Sequence, residues 1–349
     1  MQFRIKKWKR RDIILLLERL ELYVSSGLPI DEALKISAEG ISKRQKNDME
    51  KVSGAVSAGG LLSYNLTKFI GISDTTTGLI ENGELSGDLS RALLSARSLL
   101  EREDELLKKC TSAMTYPVVI GLFAVMLTIG LVRGVMPQII PMLKSLNVSL
   151  PLLTRTTIAF SDNLTMYGIQ ALLVGIICLI IFSVAYKKIK FVRKIFQAVL
   201  MKIPITGTLL RNYAVVVFLR SCGSLIESGL PVTKAYEKTV FAVSFLPLKE
   251  VLLSDVSNIS RGVSLGNIIS NKNLPPYIAP LLHAGEISGT LGTSLLRAAT
   301  ILDRDIEHSL RRLTSLIEPI MMAGMGCVVG AIALSIMMPI YNISKVLQR

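Results

Sequence analysis

The sequence predicts an all-α integral membrane protein: two homologous antiparallel helical bundles joined by three transmembrane helices. Three observations predict it. A block of some 120 residues occurs twice, three stretches are long and apolar enough to cross a bilayer, and no convincing strand alternation occurs anywhere.

The repeat holds at a constant offset of 202 residues without a gap. Gly83-Glu84-Leu85-Ser86-Gly87-Asp88-Leu89 returns as Gly285-Glu286-Ile287-Ser288-Gly289-Thr290-Leu291, and Ser26-Gly27-Leu28-Pro29 as Ser228-Gly229-Leu230-Pro231. Ala33 matches Ala235, Leu93 and Leu94 match Leu295 and Leu296, and Arg102 and Glu105 match Arg304 and Glu307. Pro117 and Pro137 match Pro319 and Pro339, so each copy carries its membrane helix with it.

Half of the residues are apolar, mean hydropathy is +0.49 and only 19% are charged, which is membrane-protein composition. Spans are expected at 114–136, 167–186 and 319–341, each near the ~20 residues that cross the hydrocarbon core. Arg133, the one charge in the first span, lies near its end, where it can snorkel to the headgroups. The flanking segments are then a helical domain at 1–113, a short loop at 137–166, a second helical domain at 187–318 and a tail at 342–349.

Charge gives the orientation. Residues 1–113 hold 18 basic and 16 acidic side chains and residues 187–318 hold 17 and 9, whereas 137–166 holds only Lys144, Arg155 and Asp162. Lys108-Lys109, Lys187-Lys188 and Arg311-Arg312 flag the same face at every crossing, so the positive-inside rule puts both domains in the cytoplasm and the loop and tail in the periplasm. Two parallel copies, each a domain followed by an outward span, need one return crossing, which 167–186 supplies. The apolar run after the basic N-terminus, Ile13–Leu17, is broken by Glu18 and Arg19, so no cleavable signal is expected.

Several functions are disfavoured. No Gly-Lys-Ser/Thr phosphate loop occurs, and the four cysteines and the two histidines, His283 and His308, have no metal-ligand or nucleophile spacing. No cofactor, metal or catalytic residue is expected. The basic residues sit beside membrane ends without an aromatic platform, which speaks against nucleic acid. Trp8, among basic residues, is expected at the headgroup interface, on a partner or in a flexible tail.

Within each copy, Asp12 is expected to cap a helix whose positions Ile13, Leu16, Leu17, Leu20 and Val24 share one face. Gly27 suits a left-handed residue closing it, and Pro29 the next first turn. A helix begins near Gly87 with Leu89, Leu93, Leu94, Leu99 and Leu100 on one stripe and runs on into the span. Two readings of the repeated Gly-Glu-x-Ser-Gly stay open. Gly83, Gly87, Gly285 and Gly289 can form tight turns while Glu84 and Glu286 bond backbone donors, or the two glutamates present carboxylates to a partner protein or a cation. In the first and third spans, Gly130-x-x-x-Gly134 and Gly326-x-x-x-Gly330 are candidates for close helix packing.

Leu17…Ser26-Gly27-Leu28-Pro29…Ala33 followed by Gly83-Glu84…Gly87…Leu89 recurs as Leu219…Gly229-Leu230-Pro231…Ala235 and Gly285-Glu286…Gly289…Leu291. With Ile203-Pro204…Gly207 opening the second domain, nearly the whole chain resembles the secretion-protein F family, the inner-membrane platform proteins of type IV pilus assembly and type II secretion. The resemblance implies a non-enzymatic scaffold whose cytoplasmic domains engage a hexameric assembly ATPase and couple it to extraction of pilins or pseudopilins from the membrane. Other inner-membrane assembly proteins and lipid are expected as partners, and a homo-oligomer, dimer or higher, is expected. Only about eleven residues precede Asp12, fewer than in longer members. The rival class is a small-solute transporter, since parallel repeats also build transporters. Spans without buried charges argue against it.

Overall fold

A computed structural model describes residues 8–134, 141, 152–202, 204–243, 245–270 and 275–347; much of the expected loop at 137–166 lies outside them. Every element among the described residues is helical. The first repeat forms α1 (Arg10–Ser25), α2 (Ile30–Ser37), α3 (Lys43–Ser57), α4 (Leu62–Phe69), α5 (Asp74–Ser86) and α6 (Leu89–Gly134). Then come α7 (Leu152–Lys188) and α8 (Lys190–Lys202). The second repeat forms α9 (Pro204–Glu227), α10 (Val232–Ala242), α11 (Leu246–Leu253), α12 (Val256–Ser260), α13 (Leu265–Ser270), α14 (Ile278–Ile287) and α15 (Leu291–Leu347). Shifted by 202, α2, α5 and α6 start or end within a few residues of α10, α14 and α15, while α3 is divided into α11 and α12.

The turns show why the repeat is so strict at glycine. Gly27 and Gly229 have φ of 87° and 93°, conformations a Cβ disfavours. At the first, the Gly27 N–H donates to Val24 O at 3.0 Å and the Leu28 N–H to Tyr23 O at 3.1 Å. At the second, Gly229 donates to Ile226 O at 2.9 Å and Leu230 to Leu225 O at 3.1 Å. This paired closure satisfies carbonyls that a helix end otherwise leaves bare.

Two compact units result, one of residues 1–109 and 196–309, the other of 110–195 and 310–349. In the first, both repeats contribute to the core: Leu17, Leu20, Leu34, Met49, Leu66, Leu79 and Leu93 from one, Phe218, Leu219, Tyr236, Leu295 and Leu302 from the other, all buried. The rings of Phe218 and Tyr236 meet edge to face with centroids 5.4 Å apart, and the Tyr236 hydroxyl donates to Leu252 O at 3.0 Å. Burial raises that hydroxyl's pKa and pushes the neighbouring Cys222 thiol up to about 12. The repeats lock together where α5 meets α9 and α10. Glu81 Oε2 receives Lys238 Nζ at 2.5 Å, and the Asn82 amide donates to Ser228 O.

Ion pairs tie the long helices to the bundles. Arg97 on α6 meets Glu18 at 3.0 Å, Glu21 at 3.7 Å and Glu101 at 2.8 Å. Arg10 reaches Glu103 at 2.7 Å, and Arg220 on α9 pairs with Asp303 on α15. Burial raises the Glu103 carboxyl above its ordinary value, with Arg10 and Arg220 opposing. A raised carboxyl pKa means the folded chain holds the proton more tightly than the unfolded one, so this group stabilises fully below the ordinary carboxylate range and loses that contribution as pH rises through its folded value. Glu103→Gln is therefore expected to flatten the gain in unfolding midpoint between pH 7 and roughly 4, as followed by thermal melts in detergent.

Three readings of the sequence need correction in this unit. Asp12 does not cap α1: Lys9 occupies the N-cap position, and Asp12, in the first turn, accepts a hydrogen bond from Gln45 Nε2 at 3.0 Å. Trp8 is neither a lipid anchor nor in a loose tail. It is 8% exposed, donates its indole N–H to Asp48 at 3.2 Å and its backbone N–H to Ile70 O at 3.2 Å. Leu94 leaves the expected apolar stripe and is 46% exposed, because its α6 position turns away from the core that Leu93 and Leu100 enter.

In the second unit, the segments that α6 and α15 supply bring Tyr116 Oη within 3.4 Å of Glu318, its counterpart in the repeat, and place Met321 Cε 3.7 Å from where a Cβ on Gly121 would sit. Only 6% of the most apolar window of either helix is buried, leaving Val118, Leu122 and Ile320 more than 60% exposed. Apolar surface of that extent needs lipid around it. Thr206–Glu227, within α9, is also long and apolar enough to span, but 61% of its window is packed inside protein, which makes it a core helix. The middle span expected at 167–186 falls within α7, which already begins at Leu152, and α15 continues to Leu347 through most of the expected tail. The protein is thus an all-α membrane protein of two repeated bundles, with α6 and α15 long and apolar enough to span and the apolar stretch Leu173–Tyr186 of α7 as the third candidate.

Candidate functional site

The two Gly-Glu turns are the features that sequence marks most strongly, and the fold gives each of their residues a distinct task. α5 ends at Ser86 and α6 starts at Leu89, so the two helices are joined by a minimal turn. Gly87 closes it with φ of 80°, and Gly289 closes the equivalent α14–α15 turn with φ of 72°. Gly83 faces the other helix: a Cβ there would lie 2.1 Å from the Ala92 Cβ. At Gly285 it would lie 2.3 Å from Ser294 Oγ. Helices brought this close exclude any side chain at that position. The serines bond back into the last turn, Ser86 Oγ to Gly83 O at 3.5 Å and Ser288 Oγ to Ala284 O at 2.9 Å.

The glutamates point to a third helix. Glu84 accepts hydrogen bonds from the Leu62 N–H, the Ser63 N–H at 3.0 Å and Ser63 Oγ at 2.5 Å, which caps the start of α4. The N-cap residue of α4 is Leu61, which has no side-chain acceptor, so the carboxylate of Glu84, 22 positions after Leu62, takes its place. Glu286 does the same for α13, accepting from the Leu265 N–H at 2.6 Å and from Ser264 Oγ. The negative charge also suits the positive end of each helix. Glu84→Ala strands two N–H donors beside the buried Leu62 and Ser63, and is expected to cost about 1–3 kcal/mol. Urea melts of the purified chain check this, with Glu84→Gln falling between.

The position between glutamate and serine does something else. Leu85 is 74% exposed and Ile287 77% exposed, so each turn displays one large apolar side chain at an equivalent place. The sequence pattern, read for glycine and glutamate, passes over these two residues; the signal available was an apolar residue kept at the x position in both copies. Leu62, Ser63, Ser264 and Leu265 were likewise not singled out, since nothing local links them to a glutamate more than 20 residues away. Gly130, Gly134, Gly326 and Gly330 have open space where a Cβ would stand, so no helix of the same chain packs closely on them among the described residues. No group of three or more His, Cys, Asp or Glu is placed to hold a metal ion among the described residues.

Comparison with known proteins returns the same duplication. The family model for type II secretion system (T2SS) protein F matches residues 16–137 and again residues 218–339. These two ranges are 202 residues apart, the offset of the internal repeat. The type IV pilus assembly protein PilC of Thermus thermophilus is 30% identical over 336 residues, covering 95% of this chain and 82% of that protein. PilC of Pseudomonas aeruginosa is 26% identical, covering 98% and 92%, and the type II secretion system protein F of the same organism is 27% identical, covering 96% and 83%. The chain belongs to the type II secretion system protein F family.

Proposed function

We propose that this chain is the inner-membrane platform protein of a type IV pilus or type II secretion machine, coupling a hexameric cytoplasmic assembly ATPase to the extraction of pilins or pseudopilins from the bilayer. The observation that carries the reading is the double match to one family across both halves of the chain, shared with relatives named for pilus assembly and for secretion. The orientation follows from charge: residues 1–113 and 187–318 lie in the cytoplasm, and 137–166 and 342–349 in the periplasm. The protein is a scaffold without catalytic residues or cofactor. It works as a homo-oligomer, in which Gly130, Gly134, Gly326 and Gly330 give helices of neighbouring copies room to approach.

The Gly-Glu turns serve the ATPase contact indirectly. Gly83, Glu84, Gly87, Gly285, Glu286 and Gly289 fix the backbone, and Leu85 and Ile287 are the apolar residues offered at the surface so formed. A large exposed apolar residue on a rigid turn is what a protein partner buries. Two such residues, one on each repeat, give two points of attachment. Copurification of the detergent-solubilised chain with its cognate ATPase tests the reading. Wild type is expected to hold the ATPase, and Leu85→Asp with Ile287→Asp to lose it while melting normally. Wild-type chain that never retains the ATPase contradicts the coupling.

A further inference from the structure

Within the first unit, α6 and α15 leave a cavity of about 570 Å³ between their facing sides, with the last turns of α9 as a third wall. That volume lies in the ~300–1,000 Å³ range of small-ligand sites. Its two long walls are the same face used twice. Leu94, Leu99 and Arg102 on α6 stand 202 residues before Leu296, Ile301 and Arg304 on α15, and Ser98 stands opposite its counterpart Thr300. A cavity lined at matching register by both copies is built into the duplicated fold. It also explains why Leu94, 46% exposed, leaves the core stripe.

The charge inside is one-sided. On the same helices, Arg97 meets three carboxylates, and Lys109 meets Glu105 at 2.9 Å and Glu307 at 2.7 Å. In the cavity, Arg102, Arg297 and Arg304 have no ion pair and no side-chain hydrogen bond among the described residues. Arg220 also lines it. It is 3% exposed and pairs with Asp303 through one nitrogen, while its Nη1 has no partner. The lining carboxylate is Glu227, already engaged by the Thr293 hydroxyl at 2.8 Å. Three unpaired guanidinium groups beside an apolar floor form a receptor for a multivalent anion carrying an apolar body. The planar fork of arginine matches phosphate oxygens two at a time.

We propose that this groove between the repeats binds a phosphate-bearing ligand, with Arg102, Arg297 and Arg304 holding the phosphate oxygens and Leu94, Leu99 and Ile301 covering the rest of the molecule. The proposal goes beyond the platform role and stands independently of it. A soluble nucleotide and an anionic lipid headgroup both offer this chemistry.

Calorimetric titration of the full chain in detergent separates them, with ADP and inorganic pyrophosphate as probes, alongside native mass spectrometry for copurifying phosphatidylglycerol. Saturable 1:1 binding of a soluble probe is expected, weakening on the order of tenfold for each arginine removed in Arg102→Ala and Arg304→Ala. The α3 surface variant Lys43→Ala with Lys46→Ala should bind as wild type does. Arg102→Lys with Arg304→Lys, which keeps charge and loses the fork, should fall between. If the phosphate belongs to a lipid, phosphatidylglycerol is retained by wild type, lost from the alanine variants and displaced by pyrophosphate. Absence of both soluble-probe and lipid binding, or equal binding by wild type and the folded alanine variants, overturns the proposal.

Discussion

Replacing Asp303 with alanine is expected to destabilise the folded chain by about 3–5 kcal/mol, the usual penalty for leaving one member of a buried ion pair alone. Arg220 is 3% exposed and lies in the apolar run of α9, so its charge is largely shielded from water when Asp303 is gone. The pair is already imperfect, because Arg220 Nη1 and Asp303 Oδ1 each lack a hydrogen-bond partner. Burial raises the Asp303 carboxyl above its ordinary value against the pull of Arg220. Two consequences distinguish this from a surface salt bridge. Arg220→Met with Asp303→Leu, which removes both charges, is expected to recover most of the loss of Asp303→Ala. The effect should also persist at high salt, which screens exposed pairs and spares buried ones. Chemical denaturation of wild type and the two variants, at low and at high salt, measures both.

Gly83→Ala is expected to cost about 1–3 kcal/mol or more, and Gly285→Ala a similar amount, although each adds a single methyl group. The new Cβ at 83 would stand 2.1 Å from the Ala92 Cβ, and neither helix can retreat without opening the turn closed by Gly87. At 285 the obstruction is Ser294 Oγ at 2.3 Å and Ser294 Cβ at 2.6 Å, so rotation of the hydroxyl relieves only part of it. Ala92→Gly in the Gly83→Ala background removes the atom in the way and is expected to restore stability partly. No rescue by that second change, with stability measured by urea unfolding, would mean that the cost has another source. By contrast, Gly54→Ala, in open space on α3, should be neutral or stabilising.

The parts legible in the sequence are those set by local chemistry and by duplication. Two copies at one offset located the turns at Gly27, Gly87, Gly229 and Gly289, since a positive φ demands glycine wherever the chain folds the same way twice. The continuity of α6 past Lys109 was readable because no breaker intervenes before Pro117, and proline removes one hydrogen bond without ending a helix that lipid holds together. Bonding of backbone donors by Glu84 was one of two readings available, and its partners at the start of α4 carry no local signal, since they stand 21 and 22 positions earlier. Contacts between the repeats were invisible for the same reason. Nothing near Glu81 announces Lys238, 157 residues on. Trp8 was misplaced because its basic neighbours suggested a membrane surface, while its indole is held by Asp48, which is 40 residues away. Arg220 did carry a signal, a lone charge in the apolar run from Ala214 to Leu225, which calls for a buried partner.

Deletion of the gene with complementation, scored by electron microscopy of surface filaments and by the secreted proteome, tests the platform role most directly. Loss of filaments, or of secreted proteins, restored by the wild-type chain and not by the Leu85→Asp with Ile287→Asp chain, is predicted. Filaments and secretion both unchanged in the deletion strain, under conditions that express the machine, would contradict it.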